Sequence, residues 1–286
     1  MSFQLGCAIW AYKGWLGDFY PKGSPAGQLL KLYCDRFSTV ECNATFYSIP
    51  SPETVAKWGE TVPDDFRFCP KFPKIITHQG VLKPHINEAL DFIQLMQILG
   101  QNLGPLFVQL PPSYGPSNLN DLAQFLKGLP TDLVKIAVEL RHPDWFKPPF
   151  HSNVTGLLKS LKVGQVLLDS RPMYEVEGDP QKHSQRRKPR VPLIPQLTAD
   201  FSIVRFISHP QQKENERFME DWLLPLEEWT KAEREIYFFM HCPVEEHSPD
   251  HAKFFYDKLR AIPLDLPPLP WENIAKPPAQ LDLFSL

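Results

Sequence analysis

The sequence predicts an α/β fold, a closed (β/α)8 barrel in one domain, and three observations carry that prediction. Short apolar runs alternate with helix-patterned runs almost to the end of the chain. The short runs are rich in Val, Ile, Leu and Phe rather than strictly alternating, the pattern of parallel strands covered on both faces. At 286 residues with 43% hydrophobic content the chain has the size of one such barrel, and no Gly/Ser-rich linker divides it. An open doubly wound sheet shows the same alternation, but its usual glycine-rich nucleotide loop after the first strand, G-x-G-x-x-G or Walker-type, is missing here.

Taken in order, Leu5 to Trp10 is a strand closed by Tyr12-Lys13-Gly14, and Ala26 to Phe37 is a helix with Leu29, Leu30, Tyr33 and Phe37 at helical spacing. Thr39 to Phe46 is the second strand. Pro52 to Val62 is a helix behind Ser51, a good N-cap residue. Phe66 to Phe72 is a third strand interrupted by Pro70, and His85 to Leu99 a long helix. Gly104 to Leu110 is a strand stopped by Pro111-Pro112; Leu119 to Leu126 a helix; Val134 to Leu140 a strand; Val154 to Leu161 a helix; Gly164 to Asp169 the sixth strand. Phe201 to Ile207, a helix over 215–229, Ile236 to Met240 and a helix over 250–262 complete the barrel, 1–262. A proline-rich tail follows over 263–286.

A net charge of −3 argues against coating nucleic acid through bulk charge, so any anionic partner must be met locally. Five cysteines, with no CxxC pair, sit mostly inside apolar runs, which suits a reducing cytoplasm. No apolar run approaches the ~20 residues of a membrane helix, so the expected protein is cytoplasmic with no membrane partner.

The stretch Thr39 to Tyr47 puts polar groups where a buried strand closes. On a strand, Glu41, Asn43 and Thr45 would share one face, and a carboxylate taken out of water needs a cation or donors. In a barrel, chemistry collects at the C-terminal ends of the strands. Those ends read Trp10 and Tyr12; Asn43, Thr45 and Tyr47; Lys71; Gln109; Glu139, Arg141 and His142; Asp169 and Arg171; Arg205 and His209; and His241. Their polarity exceeds that of the strand bodies.

Several of these residues fall in longer motifs. Trp10-x-Tyr12 with Gly14-Trp15, Val40-Glu41-x-Asn43-x-Thr45-Phe46-Tyr47, Phe66-Arg67-Phe68 with Lys71 and Ile76-Thr77-His78, Gln109-Leu110-Pro111-Pro112, Val138-Glu139-x-Arg141-His142 and Arg205-Phe206 together resemble the YecE-like family, domain of unknown function 72. The resemblance implies a TIM-like barrel and no particular activity. Near the end of the last strand the chain carries Met240-His241 where the family pattern has an asparagine pair.

The strand ends hold metal-ligand types but no HxxxH or HxH pair, and Lys71, Arg141, Arg171 and Arg205 would neutralise the same carboxylates. Ion pairs are therefore expected and no metal site. Lys71, Arg141 and Arg205 with Gln109 would hold a phosphate or carboxylate, with Trp10, Tyr12 and Tyr47 offering flat apolar surface. Glu41 and Glu139 are the acid/base candidates if the protein is an enzyme; Asn43, Thr45, His142, Asp169 and His241 complete the candidate ligand site. A cationic run, Lys182 to Arg190, emerges on the same face and suits a polyanion such as nucleic acid. The chain ends Gln280-Leu281-Asp282-Leu283-Phe284, similar to the linear motif by which bacterial proteins dock on the DNA sliding clamp. The sequence thus points to a barrel binding a phosphate-bearing ligand, nucleic acid among the candidates, with a clamp-docking tail. The alternatives are a non-catalytic adaptor and a sugar-phosphate-like enzyme unconnected with DNA; no cofactor is indicated.

Overall fold

The computed structural model describes residues 2–178, 180–181, 187–264 and 266–274. Its strands are β1 (Ser2–Cys7), β2 (Thr39–Cys42), β3 (Arg67–Pro70), β4 (Leu106–Gln109), β5 (Ile136–Glu139), β6 (Gly164–Gln165), β7 (Leu167–Asp169), β8 (Phe201–Ile207) and β9 (Glu235–His241). β6 and β7 are one barrel strand interrupted at Val166. Every ladder is parallel, and together they run β7-β8-β9-β1, β2-β3 and β4-β5-β6. The β3/β4 seam is bridged by two amides, Gly104 to the Phe68 carbonyl at 2.7 Å and Phe72 to the Phe107 carbonyl at 2.9 Å. The strands follow one another in the order of a TIM-like (β/α)8 barrel.

The β1/β2 seam is closed by a side chain. Tyr33, on the helix Leu29–Cys34, accepts from the Cys7 amide at 2.6 Å and donates to the Thr39 carbonyl at 3.0 Å. The strands come this close because Gly6 has no side chain: a Cβ there would stand 1.9 Å from the Thr39 oxygen.

Strand parity divides the core in two. Val40, Phe68, Val108, Val138, Val204, Phe238 and Met240 pack outward with helix residues such as Tyr33, Phe92, Leu122, Val154, Trp222 and Phe255. Cys69, Phe107, Ala137, Val166, Ile203, Tyr237 and Phe239 form a separate apolar cluster inside the barrel. Two residues further along five of these strands come Lys71, Gln109, Glu139, Arg205 and His241, with Glu41 following Thr39 in the same way on β2.

Three expectations need correction. The strand expected over Thr39 to Phe46 stops at Cys42: the Asn43 amide turns back onto the Glu41 carbonyl at 2.9 Å and a helical turn, Ala44–Tyr47, begins. Glu41, Asn43 and Thr45 therefore do not share a strand face; the Thr45 hydroxyl instead sits between the carbonyls of Cys42 (2.9 Å) and Lys71 (2.7 Å). The helix expected over 215–229 is broken into Glu216–Glu220 and Leu223–Lys231, because Pro225 has no N–H and its ring excludes a helical carbonyl at Asp221. The proline-rich stretch does not leave the barrel at 262. Leu266 and Leu269 are buried, Tyr256 donates to the Pro267 carbonyl at 2.7 Å, and the Trp271 ring meets Phe19 and Phe37 edge-on.

Among the described residues no helix is long and apolar enough to cross a membrane, and all five cysteines are buried free thiols. Tyr33→Phe keeps the ring but leaves the Cys7 amide and Thr39 carbonyl without their hydroxyl. It should lower unfolding free energy by about 1–3 kcal/mol in urea titrations; a loss well under that would show that water replaces the hydroxyl at the seam.

Candidate functional site

The tier above the apolar interior is a charged network centred on Arg205, which is 1% exposed. Its Nε and Nη2 donate to the two oxygens of Glu41 at 2.7 and 3.0 Å, and Nη1 donates to Oε2 of Glu139 at 2.7 Å. A planar guanidinium is the side chain whose fork can hold one carboxylate bidentately and a second from the other edge. Lys71, 3% exposed, bonds to Oε1 of Glu41 at 3.0 Å and to Gln109 Oε1 at 3.2 Å. Arg141 closes the ring, donating through Nε to Glu139 Oε1 and through Nη2 to Gln109 Oε1 at 2.7 Å. Beneath the cations lies the face of Phe107, 4.7 Å from the Lys71 ammonium and 5.2 Å from the Arg205 guanidinium.

The environment decides each protonation state. Burial alone would push the Glu41 and Glu139 carboxyls up; the surrounding cations outweigh it. Glu41 is held well below the usual carboxylate range by Arg205 and Lys71, and Glu139 falls to about 2 through Arg141, Arg205 and Lys71. Burial lowers Lys71 to about 8, with Glu41 pulling the other way. It lowers His241 to about 3, helped by Lys188, so the ring is neutral and its Nε2 accepts from Arg205 Nη2 at 3.1 Å.

Over this tier opens a cavity of about 520 Å³. Its wall carries the cations Lys71, Lys74, Arg141, Arg187, Lys188 and Arg205, and no carboxylate among its lining residues. Asn43, Tyr47, Gln109, His78 and His241 also line it. Burial lowers His78 to about 4 and Lys188 to about 7, the latter with help from Arg205, Lys71 and Arg141.

The structure thus gathers Glu41, Lys71, Gln109, Glu139, Arg141, Arg205 and His241 into one network, with Asn43 and Tyr47 on the cavity wall. Trp10 lies next to them, edge-on to Trp58. Four candidates stand elsewhere. The Tyr12 hydroxyl donates to Glu246 at 2.7 Å; Thr45 fixes the β2 turn; His142 Nδ1 accepts from the Asp144 amide at 3.2 Å and caps a short turn. Asp169 faces the helices, where Arg171 and the Trp222 indole at 2.9 Å occupy it. Lys74 and His78 were not among the residues singled out from sequence, although His78 lies in a quoted motif; Arg187 and Lys188 were read as part of the basic run, not of the strand-end site. Residues 182–186 of that run and 280–284 of the clamp-like motif lie outside the described residues. Among the described residues no group of three His, Cys, Asp or Glu side chains is arranged to hold a metal ion.

Arg205→Met should destabilise the fold by about 3–5 kcal/mol at pH 7, since two buried carboxylates lose their shared cation. The sign with pH is fixed. In the wild type their depressed pKa values stabilise the fold above the unfolded value near 4.3, and that stability is lost as pH falls toward the folded value, about 2 for Glu139. In the variant the carboxyls rise and protonate readily, so the deficit should shrink between pH 7 and 5 in urea titrations. A deficit independent of pH would mean that lost packing, not charge, is the cause.

The chain has relatives in sequence and in structure. UPF0759 protein YecE from Escherichia coli is 35% identical over 234 residues, 81% of this chain and 85% of its own. UPF0759 protein YunF from Bacillus subtilis is 28% identical over 158 residues, 51% of this chain and 55% of its own. Crystal structures of DUF72 family proteins from Thermotoga maritima and Enterococcus faecalis superpose with TM-scores of 0.70 and 0.69, each at 20% identity. They cover 91% and 93% of this chain and 100% and 98% of theirs, and at that identity they speak for the fold alone. The sequence pattern of the family described as "Protein of unknown function DUF72" matches residues 4–273, and the chain belongs to that family.

Proposed function

We propose that this protein binds a phosphate-bearing ligand at the C-terminal mouth of the barrel. The observation that carries the reading is the lining of the mouth cavity: among the described residues, six cationic side chains and no carboxylate. Glu41 and Glu139 answer Lys71, Arg205 and Arg141 from below, and with Lys74 and Lys188 the wall carries five cations over these two carboxylates. An arriving anion would meet guanidinium groups already fixed by Glu139 and Gln109, so little side-chain freedom is lost on binding. Should a reaction follow, Glu139, buried and held at about 2 by its cations, is too weak a base to lead it, whereas Lys71 and Lys188 titrate near neutrality.

Two of the basic-run residues, Arg187 and Lys188, line the same cavity, which favours nucleic acid as one source of the phosphate. The sliding clamp is proposed as a partner on the sequence Gln280-Leu281-Asp282-Leu283-Phe284 alone. A peptide covering residues 277–286 should bind the clamp with a Kd on the order of micromolar, and Ala at Leu283 and Phe284 should abolish binding. Absence of binding by the native peptide removes the clamp from the reading.

Sulfate tests the mouth directly because it stays dianionic from pH 6 to 9. A bound anion stabilises charged Lys188 and Lys71, whose values lie at about 7 and about 8, so affinity should fall as pH rises through them. The loss should reach roughly tenfold, the equivalent of one charge-assisted contact of about 1.5 kcal/mol. Arg141→Ala should weaken sulfate at every pH by a similar factor. Calorimetry showing no sulfate binding, or binding indifferent to both changes, would overturn the assignment.

A further inference from the structure

The cationic cavity shares a wall with a second compartment of opposite character. An apolar cavity of about 240 Å³ is lined by Ile9, Trp10, Ala11, Asn43, Ala44 and Tyr47, and Ile9, Asn43 and Tyr47 line both. Resting on the anion-binding reading above, we infer that the two compartments take the two ends of one ligand. A terminal phosphate monoester enters the cationic cavity, and the nucleobase of the same nucleotide lies against Trp10 and Tyr47.

Charge and depth select a monoester over a diester. At neutral pH a monoester carries close to two negative charges and a diester one, and Lys71, Lys74, Arg141, Lys188 and Arg205 exceed Glu41 and Glu139 by more than a single charge. Lys71 and Arg205 line the cavity while only 3% and 1% exposed. A group at that depth is reached by a chain end, not by a phosphate with substituents on both sides.

The apolar compartment selects the body. Tyr47 is 59% exposed, and Trp10 is held in place edge-on to Trp58 and Phe68, with ring centroids at 5.4 and 6.1 Å. Flat π-faces of this kind stack on a base without reading its edge. A sugar would instead need several donors and acceptors, yet Asn43 is the one amide on this wall, and its N–H already goes to the Ala8 carbonyl at 2.9 Å.

The experiment is calorimetric titration of the full chain at pH 7 with sulfate, ribose 5-phosphate, adenosine and adenosine 5′-monophosphate. The mononucleotide should bind about tenfold tighter than ribose 5-phosphate, the order that one stacked base contributes. Tyr47→Ala should weaken the mononucleotide more than ribose 5-phosphate and so shrink that advantage, and Trp10→Ala, on the wall of the apolar compartment alone, should shrink it likewise. Equal affinities for the mononucleotide and ribose 5-phosphate, with sulfate still bound, overturn the base compartment and leave the anion site standing. Adenosine binding as well as its monophosphate also overturns the inference. Failure of sulfate and both phosphates sinks the anion site itself. A short oligonucleotide with a 5′-phosphate, compared with its unphosphorylated twin, tells a strand end from a free nucleotide: tighter binding than the mononucleotide assigns the former, weaker binding the latter.

Discussion

The mouth of this barrel depends on one guanidinium held between two carboxylates. Arg205 projects from β8, yet its partners Glu41 and Glu139 come from β2 and β5, so the three residues tie together strands that share no ladder. Removing three charges from water is costly, and a buried pair of this kind adds little net stability over an apolar filling. What it supplies is position. With four carboxylate oxygens each engaged by Arg205, Lys71 or Arg141, no member can rotate without stranding another.

Much of this order could be read from the chain because a strand has a period of two. Cys69 and Lys71, Phe107 and Gln109, Ala137 and Glu139, Ile203 and Arg205, and Phe239 and His241 each step from the apolar interior to the charged tier. Barrel class follows from the same runs. Strand ends alone, however, do not separate Glu41 from Thr45 or Glu139 from His142, since the first member of each pair is still within its ladder and the second already belongs to a turn or its cap. Where the turn begins is fixed by bonds to distant residues, such as the Thr45 hydroxyl on the Lys71 carbonyl. Asp169 ends a strand too, but Trp222 and Arg171 draw it toward the helices, and neither partner is specified by spacing. Lys188 was visible as charge but not as part of the cavity wall. Its backbone is held by Gln181 and by the Tyr174 hydroxyl, contacts that composition does not encode.

Among the described residues, four acids outside the network are neutral or engaged elsewhere. Glu245, the acid closest in kind, is pushed up to about 8 by burial, so at neutral pH its carboxyl is protonated and brings no charge. Glu246 is engaged by the Tyr12 hydroxyl, and Asp169 and Asp221 are engaged by Arg171. Burial is the first cause of the lowered Lys71 and Lys188 values, and Arg205 adds to it by acting against the charged form of each.

A tier of leucine and methionine would fill the space above Phe107 at a lower desolvation cost. The rest of the interior is filled in that way, with Phe107, Ile203, Tyr237 and Phe239 in contact and no ion among the members of that cluster. The change from an apolar to a polar interior, ionic at Lys71, Glu139 and Arg205, occurs within two residues on five strands at once, and it occurs at the end where a (β/α)8 barrel is open to ligands. Close packing sets the residue choice below that level. Above it, the choice follows the ion pairs that Arg205, Lys71 and Arg141 make with Glu41 and Glu139.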